Sequence, residues 1–236
     1  MKVYTSITGQ YDRLRDPPES VCAEDIEFHA FLDKPQASDV WKPHVANTSM
    51  STSRLNAKHH KVLPHLSFPD CDISLWIDGS IEICPDTVLQ NLAHQFLREA
   101  DLAVFAHGKR YCIYQEAIYC LHHQLDDPAA IRNQVFRYTQ EGYQANQGLA
   151  ECTVLLRRHT EHLKQFSELW WQEIRTGSVR DQLSFPYVVR KTGLKVKYFP
   201  GTINAGKWFR RREHLLSREY QAPLSTCRLT STVASD

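Results

Sequence analysis

Three groups of polar residues in this 236-residue chain have the types and spacings that chemistry on a phosphate-bearing substrate requires. The first is Asp78, which ends the apolar run Ser74-Leu75-Trp76-Ile77 and is followed by Gly79-Ser80. A carboxylate at the carboxyl end of a short buried strand stands where open α/β sheets gather their ligands, within reach of a metal or a phosphate. Asp-Gly is also the commonest hairpin signal, and Ile81 and Ile83 resume alternation beyond it, so a plain turn is the competing interpretation. The second group is Arg54, Lys58 and Lys61, placed at helical intervals just before Val62-Leu63-Pro64-His65. Such cations share a helix face and suit a diphosphate, or they form a solvated face. In the third, Arg180-Asp181-Gln182, a carboxylate and an amide open an amphipathic helix. They either cap it or face a substrate.

Two further segments carry charge at loop positions. His107-Gly108-Lys109-Arg110 directly follows the apolar run Leu102 to Ala106, with Tyr114 and Glu116 close behind, which is the usual place for ligand contacts. The basic run Arg210-Arg211-Arg212 is either a solvated face or a site. Other chemistries lack their signatures. There is no H-E-x-x-H, and the pairs His59-His60 and His122-His123 diverge on a helix. G-x-S-x-G, G-x-G-x-x-G and the P-loop pattern are missing as well. Seven cysteines are scattered singly with no zinc spacing, which fits a reduced compartment and buried, structural thiols. With 28 Lys and Arg against 27 Asp and Glu, no global field favours nucleic acid, so any anion site is local.

The elements that position these residues alternate. Strands are expected at Val3 to Ile7, Ile26 to Leu32, Ser74 to Ile77, Leu102 to Ala106, Cys152 to Leu156 and Leu194 to Phe199. Helices are expected from Thr87 to Glu99 with Asp86 as N-cap, and from Pro128 to Glu141 with Asp127 as cap and Gly142 as stop. A third runs from Thr160 to Arg175, closed by Gly177, with Trp170 and Trp171 as core and rim. A fourth runs from Arg180 to Lys191, where Pro186 allows a kink or an early end. This order predicts an α/β fold. One domain over residues 1–220 is followed by a loosely held, Ser- and Thr-rich tail over 221–236. The amino terminus enters a strand at once, and no apolar run approaches eighteen residues, so the sequence reads as a soluble, cytoplasmic protein.

These groups, in this order, resemble the TOD/MUCI-type glycosyltransferase-like domain family, which includes plant seed-mucilage proteins and a protein described as an alkaline ceramidase. The matching blocks are Val3 to Asp12, Lys61-Val62-Leu63-Pro64-His65 with Phe68-Pro69, and Ser74 to Ile81. They continue through His107, Tyr114 to Ala117, Glu141-Gly142, Glu151 to His159, Trp170 and Arg180 to Phe185. More distantly, the layout is similar to glycogenin-type GT-A transferases. That resemblance implies a single GT-A-like, Rossmann-like domain with a mixed, mainly parallel sheet and helices on both faces. By it, Asp78 matches the first aspartate of the D-x-D metal motif, Gly148 a glycine before a later strand, Asp181 and Gln182 a D-Q pair, and His214 a late metal-binding histidine. Ser80 stands where the second aspartate of D-x-D belongs. Mn²⁺ or Mg²⁺, the implied cofactor, would therefore lean more on phosphate oxygens and water.

The implied activity is transfer of a sugar from a nucleotide-diphosphate donor, expected to be a uridine diphosphate sugar, to a glycan or glycoconjugate. Thr5, Ser6, Thr8 and Asp33 are the candidates for the base and ribose, and Arg54, Lys58, Lys61, Asp78 and Gly148 for the rest of the donor. Asp181 and Gln182 are the catalytic candidates, with Asp181 either steadying an oxocarbenium-like centre or accepting the acceptor proton. His107, Arg110, Glu116, Glu151 and Arg180 are candidates for the sugar or acceptor. Arg210 to Arg212 offers a peripheral contact if that acceptor sits on a membrane lipid. Two alternatives stay open: a non-catalytic nucleotide-sugar binding module, and a lipid amidase.

Overall fold

In the computed structural model, which describes residues 1–22, 25–46 and 48–213, the apolar runs become strands whose alternate side chains enter two separate core layers. The strands are β1 Lys2–Ile7, β2 Glu27–Leu32, β3 Lys42–Val45, β4 Ile73–Ile77, β5 Ile81–Ile83, β6 Leu102–Ala106, β7 Ala150–Arg158, β8 Val196–Phe199 and β9 Phe209–Arg211. The helices are α1 Ser53–Val62, α2 Pro64–Ser67, α3 Leu89–Phe96, α4 Ile113–His122, α5 Pro128–Gln140, α6 Glu161–Thr176 and α7 Asp181–Thr192. Seven strands form one sheet in the order β3-β2-β1-β4-β7-β6-β8, in which β7 alone runs antiparallel to its neighbours. The remaining two, β5 and β9, pair antiparallel with each other.

Tyr4, Trp76, Val104 and Leu155 point into one layer, where Val62 of α1, Phe166 and Trp170 of α6 and Phe185 of α7 cover them. Val3, Leu75, Phe105 and Leu156 point into the other, covered by Leu92 and Phe96 of α3 and by Ile83 and Phe209 of the small sheet. Helices thus lie on both faces of a mixed, mainly parallel sheet, the α/β class expected from the sequence. Five of the six described cysteines are buried and all six are free thiols. No helix among the described residues is long and apolar enough to cross a membrane.

Local chemistry explains where the elements start and stop. Asp127 caps α5 by accepting from the Ala129 N–H, and Thr160 caps α6 by accepting from Leu163. Asp86 does not cap α3: its φ of 62° places it in a left-handed turn, and the helix begins later, after Val88. Pro186 does not end α7, which continues to Thr192. Its neighbours Phe185, Tyr187 and Val188 are all buried, and packing of that face outweighs the one missing N–H. The edge strand β3 and the three-residue strands β5 and β9 were not expected. Each is too short to show a period, and β3 lies entirely exposed. The tail 221–236 lies outside the described residues.

Three histidines, His29 and His60 buried and His159 half-buried, make stability acid-sensitive. His29 contacts His44 at 2.8 Å, His60 stacks on Phe31 with ring centroids 4.0 Å apart, and His159 meets Ser74 Oγ at 2.8 Å. Burial, more than any neighbouring charge, pushes each down to about 4 from the usual 6.5. Below pH 6.5 the unfolded chain therefore takes up protons that the folded one refuses, and stability falls as pH drops from 6.5 towards 4. Each histidine contributes a slope of up to about 1.4 kcal/mol per pH unit. Denaturant midpoints at pH 7, 5.5 and 4.5 should decrease in that order, whereas a flat series would contradict the buried neutral state.

Candidate functional site at the carboxyl edge of the sheet

Because β1, β2, β4 and β6 run parallel, their carboxyl ends meet at one edge, and antiparallel β7 brings its amino end there too. That edge holds Thr5 to Thr8 at the end of β1, Asp33 after β2, Asp78 after β4, His107 after β6, and Gly148 to Cys152 at the start of β7. The register between β6 and β7 shifts between Val104 and Phe105, so β7 loosens from β6 beside the crevice, and the Thr153 carbonyl accepts from the Asp78 N–H at 2.9 Å. Asp78 to Ile81 forms a tight turn, with the Ile81 N–H donating to the Asp78 carbonyl at 2.8 Å. It is not a hairpin, since β5 leaves β4 and pairs with β9. Asp78 thus opens a tight turn and stands just beyond the carboxyl end of β4.

Two lysines and two aspartates converge on the floor. Lys61 Nζ lies 3.0 Å from Asp78 Oδ1 and 2.8 Å from Asp181 Oδ2, and Lys58 Nζ donates to that same Asp181 oxygen. Lys61 is only 2% exposed, and three contacts hold it in place. Its ammonium lies 5.6 Å from the centroid of the Trp76 ring, its carbonyl accepts from Arg157 Nη1 at 2.7 Å, and the Tyr4 hydroxyl bonds the same carbonyl. Asp181 opens α7. Its carbonyl accepts from the Trp170 indole at 3.2 Å, and its Oδ1 accepts from the Gln182 N–H at 3.1 Å. Core packing of Trp170 therefore also fixes the carboxylate. Burial alone would raise the Asp181 carboxyl, but Lys58 and Lys61 outweigh it and hold it well below the usual range. Burial pulls Lys58 down to about 8 despite Asp181. For Lys61 burial acts in the same direction, yet the two carboxylates overcome it and keep the amine above its usual value.

Arg54 departs from the expected shared face. It is exposed, and its guanidinium donates to the Leu125 carbonyl at 2.8 Å, away from the two lysines. A spacing of four residues aligns Cα atoms, but a long side chain still follows the nearest acceptor.

A crevice beside Asp78 is lined by Thr5, Arg13, Arg15, Trp41 and Gly79. Among the described residues Thr5 Oγ1 and Ser6 Oγ are buried without hydrogen-bond partners, while Thr8 donates to the Ser53 carbonyl at 2.6 Å. Asp33 accepts from the Gly9 N–H at 2.6 Å, which ties the loop after β1 to the end of β2. Sequence reasoning overlooked Arg13 and Arg15, because they lie in an irregular loop with no period. The available signal was two arginines within five residues of the turn that follows the first strand.

On the other side, Glu116 is fully buried, 2.5 Å from Arg110 Nε and 3.5 Å from Arg180 Nη2. Glu116, expected on the sugar or acceptor side, has no exposed surface of its own and is held against these two arginines. His107 accepts at Nδ1 from the N–H groups of Lys109 and Arg110, and its Nε2 lies 4.0 Å from Glu151. Burial lowers its pKa despite Glu151. Glu151 pairs with Arg211 at 2.5 Å, and Arg210 and Arg212 approach Glu82, so the basic run is ion-paired along the small sheet. Gln182 Oε1 lies 3.5 Å from Arg180 Nη2, joining this network to Asp181. Gly148 has φ +89°, a conformation disfavoured for other residues, and a Cβ there would touch nothing. Its constraint is the turn into β7.

The donor set offers a divalent cation little. Asp78 Oδ1 already accepts from both Lys61 and the Trp76 indole, the latter at 2.6 Å. Among the described residues no group of three or more His, Cys, Asp or Glu is placed to hold a metal ion. His214, the expected late ligand, lies outside the described residues.

Comparison with known proteins places the chain. The family model described as TOD1/MUCI70, glycosyltransferase-like domain, matches residues 1–204. Two Arabidopsis thaliana proteins align with it. "Probable hexosyltransferase MUCI70" is 30% identical over 247 residues, covering 93% of this chain and 42% of its own length. "Alkaline ceramidase TOD1" is 27% identical over 234 residues, covering 83% of this chain and 49% of its own length. The chain thus spans less than half the length of either relative. Among solved structures, mouse xyloside xylosyltransferase 1 superposes with a TM-score of 0.46 at 8% identity, covering 84% of this chain and 83% of that one. A glycosyltransferase involved in glycosylation of the major capsid of PBCV-1 gives 0.39 at 6%, covering 68% and 66%. The match across residues 1–204 and the relative aligned over 93% of the sequence identify the chain as a member of the TOD1/MUCI70 glycosyltransferase-like domain family.

Proposed function

We propose that the protein is a GT-A-type glycosyltransferase that moves a sugar from a nucleotide-diphosphate donor, a uridine diphosphate sugar by preference, to a glycan or glycoconjugate. The observation that carries this is the meeting of Lys58, Lys61, Asp78 and Asp181 from α1, β4 and α7 beside a crevice walled by Thr5 and Arg13, in a chain of this family. Breaking the glycosidic bond leaves its electron pair on the departing diphosphate, and preorganised cations stabilise that charge most where water is excluded. Lys58 is the more accessible of the two cations: its side chain is 18% exposed, whereas that of Lys61 is 2%. As Lys58 turns from Asp181 to the phosphate, it releases Asp181 Oδ2 towards the sugar. A carboxylate held ionised by Lys61 is a poor proton acceptor and a good stabiliser of positive charge at the anomeric carbon. That favours the electrostatic role for Asp181 over the base role.

Asp78 accepts from a donor hydroxyl through Oδ2, the oxygen not engaged by Lys61 and Trp76, and the Thr5 and Ser6 hydroxyls, unpartnered among the described residues, serve the base and ribose with Asp33. His107, Arg110, Glu151 and Arg180 line the acceptor side. A lipid amidase would need a water-activating metal on three protein ligands, and no such set occurs among the described residues. Incubation with uridine, guanosine and adenosine diphosphate sugars should give release of one nucleoside diphosphate that rises with added glycan acceptor. Donor binding with no turnover across donors and acceptors would instead establish the non-catalytic binding module.

A further inference from the structure

We infer that the donor diphosphate is held by side-chain cations, Arg13 and Lys58 with Lys61 behind them, and that Asp78 anchors Lys61 instead of ligating a divalent ion. The inference rests on the crevice being a donor site and goes on to say how that site handles charge. A Mg²⁺ or Mn²⁺ ion on an Asp-x-Asp pair needs carboxylate oxygens at about 2.0–2.2 Å, in near-octahedral order. Here the ammonium of Lys61 already lies between the two carboxylates that would flank such an ion, 3.0 Å from Asp78 and 2.8 Å from Asp181. It has no route of retreat, being buried against Trp76 with its backbone tied to Arg157. A dication on Asp78 would face that ammonium at close range, with Ser80 in place of the second carboxylate.

Lys58 and Lys61 pair with Asp78 and Asp181, whereas the loop after β1 brings Arg13 and Arg15 to the crevice wall. Arg13 is exposed, lines the crevice with Thr5 and Asp78, and forms no ion pair among the described residues. Arg15, also on that wall, lies 4.0 Å from Asp12 and donates to the Glu213 carbonyl at 3.5 Å. A diphosphate in the crevice thus meets the exposed Arg13 guanidinium beside Asp78, whose partner Lys61 leads on to Asp181 and Lys58. Arginine suits this task because its planar fork binds phosphate oxygens in pairs.

The test is calorimetric titration of UDP, GDP, ADP and CDP into the protein, in EDTA and again in Mn²⁺, with the wild type and Arg13→Gln. Arg13 lies on an exposed loop, and matched melting curves would show that the variant is folded. The expected result is that one diphosphate binds in EDTA within about threefold of its affinity in Mn²⁺, and that Arg13→Gln weakens it by about tenfold or more. Binding that needs Mn²⁺ would overturn the inference while leaving the donor site standing. Unchanged affinity in Arg13→Gln would overturn the part assigned to Arg13. Failure of all four diphosphates in both buffers would overturn the donor site itself.

Discussion

Asp181→Asn is expected to slow sugar transfer by about 10²–10³-fold while the donor still binds. Asparagine keeps the oxygen that accepts from the Gln182 N–H and fills the same volume, so the start of α7 and its tie to Trp170 persist. What disappears is the negative charge shared by Lys58 and Lys61. The floor then carries a surplus positive charge, which favours an anionic donor and disfavours positive charge at the anomeric carbon. Binding and turnover should therefore move apart. Single-turnover rates beside calorimetric donor affinities would show it. An unchanged rate would remove Asp181 from the chemistry, and loss of donor binding would make it a donor contact.

Lys58→Met should weaken donor binding by about 10–100-fold, the usual worth of a hydrogen bond to a charged group. Methionine preserves much of the apolar stem, so the loss reports the ammonium and not the packing. The wild type should also show a pH signature that the variant lacks. Burial holds Lys58 at about 8, and a phosphate needs it charged. Above pH 8 the free protein has shed the proton it must regain on binding, so affinity should fall by up to about tenfold per pH unit. Below pH 8 that dependence disappears. A wild-type profile that stays flat to pH 9.5, or a variant that keeps the fall, would exclude Lys58 as the cation concerned.

How far these residues can be read from sequence depends on the range of the interaction that places them. Asp78, Lys58, Lys61 and Asp181 each sit on a local pattern: a strand end, a helical interval, a helix start. Their convergence is not local, since the Lys58 and Asp181 contact spans 123 positions and depends on α1 and α7 packing over the same sheet face. Arg54 shares the helical pattern and goes elsewhere, because an exposed arginine follows whichever carbonyl the fold brings near. Glu116 looks like any polar residue of an amphipathic helix, and only the packing of α4 against α5 and α7 shows it buried beneath two arginines. Arg13 and Arg15 have no periodicity to announce them. The main strands stand out because buried runs of valine, isoleucine and leucine suit little else, while β3, β5 and β9 owe their existence to the partner beside them.

The floor also shows why this edge is built from opposite charges. Lys61 and Asp181 would each be costly to bury alone; together, with the half-buried Lys58 and Asp78 beside them, opposite charges are paired. A donor that draws Lys58 away leaves Asp181 exposed to the sugar at the moment when a carboxylate is useful. The same exchange explains a surface-reaching Lys58 beside a sealed Lys61.

Thermal unfolding of the wild type and Lys58→Met with nucleoside diphosphates tests the crevice as a donor site most directly, because a ligand that binds only the native state must stabilise it. At a hundredfold excess over its dissociation constant, a bound diphosphate adds about 2.7 kcal/mol, or roughly 5–10 °C for a chain of this size. One nucleoside diphosphate should produce that shift in the wild type, with the shift largely lost in Lys58→Met at the same concentration. No shift with any of them, or an equal shift in both proteins, would contradict a donor site built on these lysines.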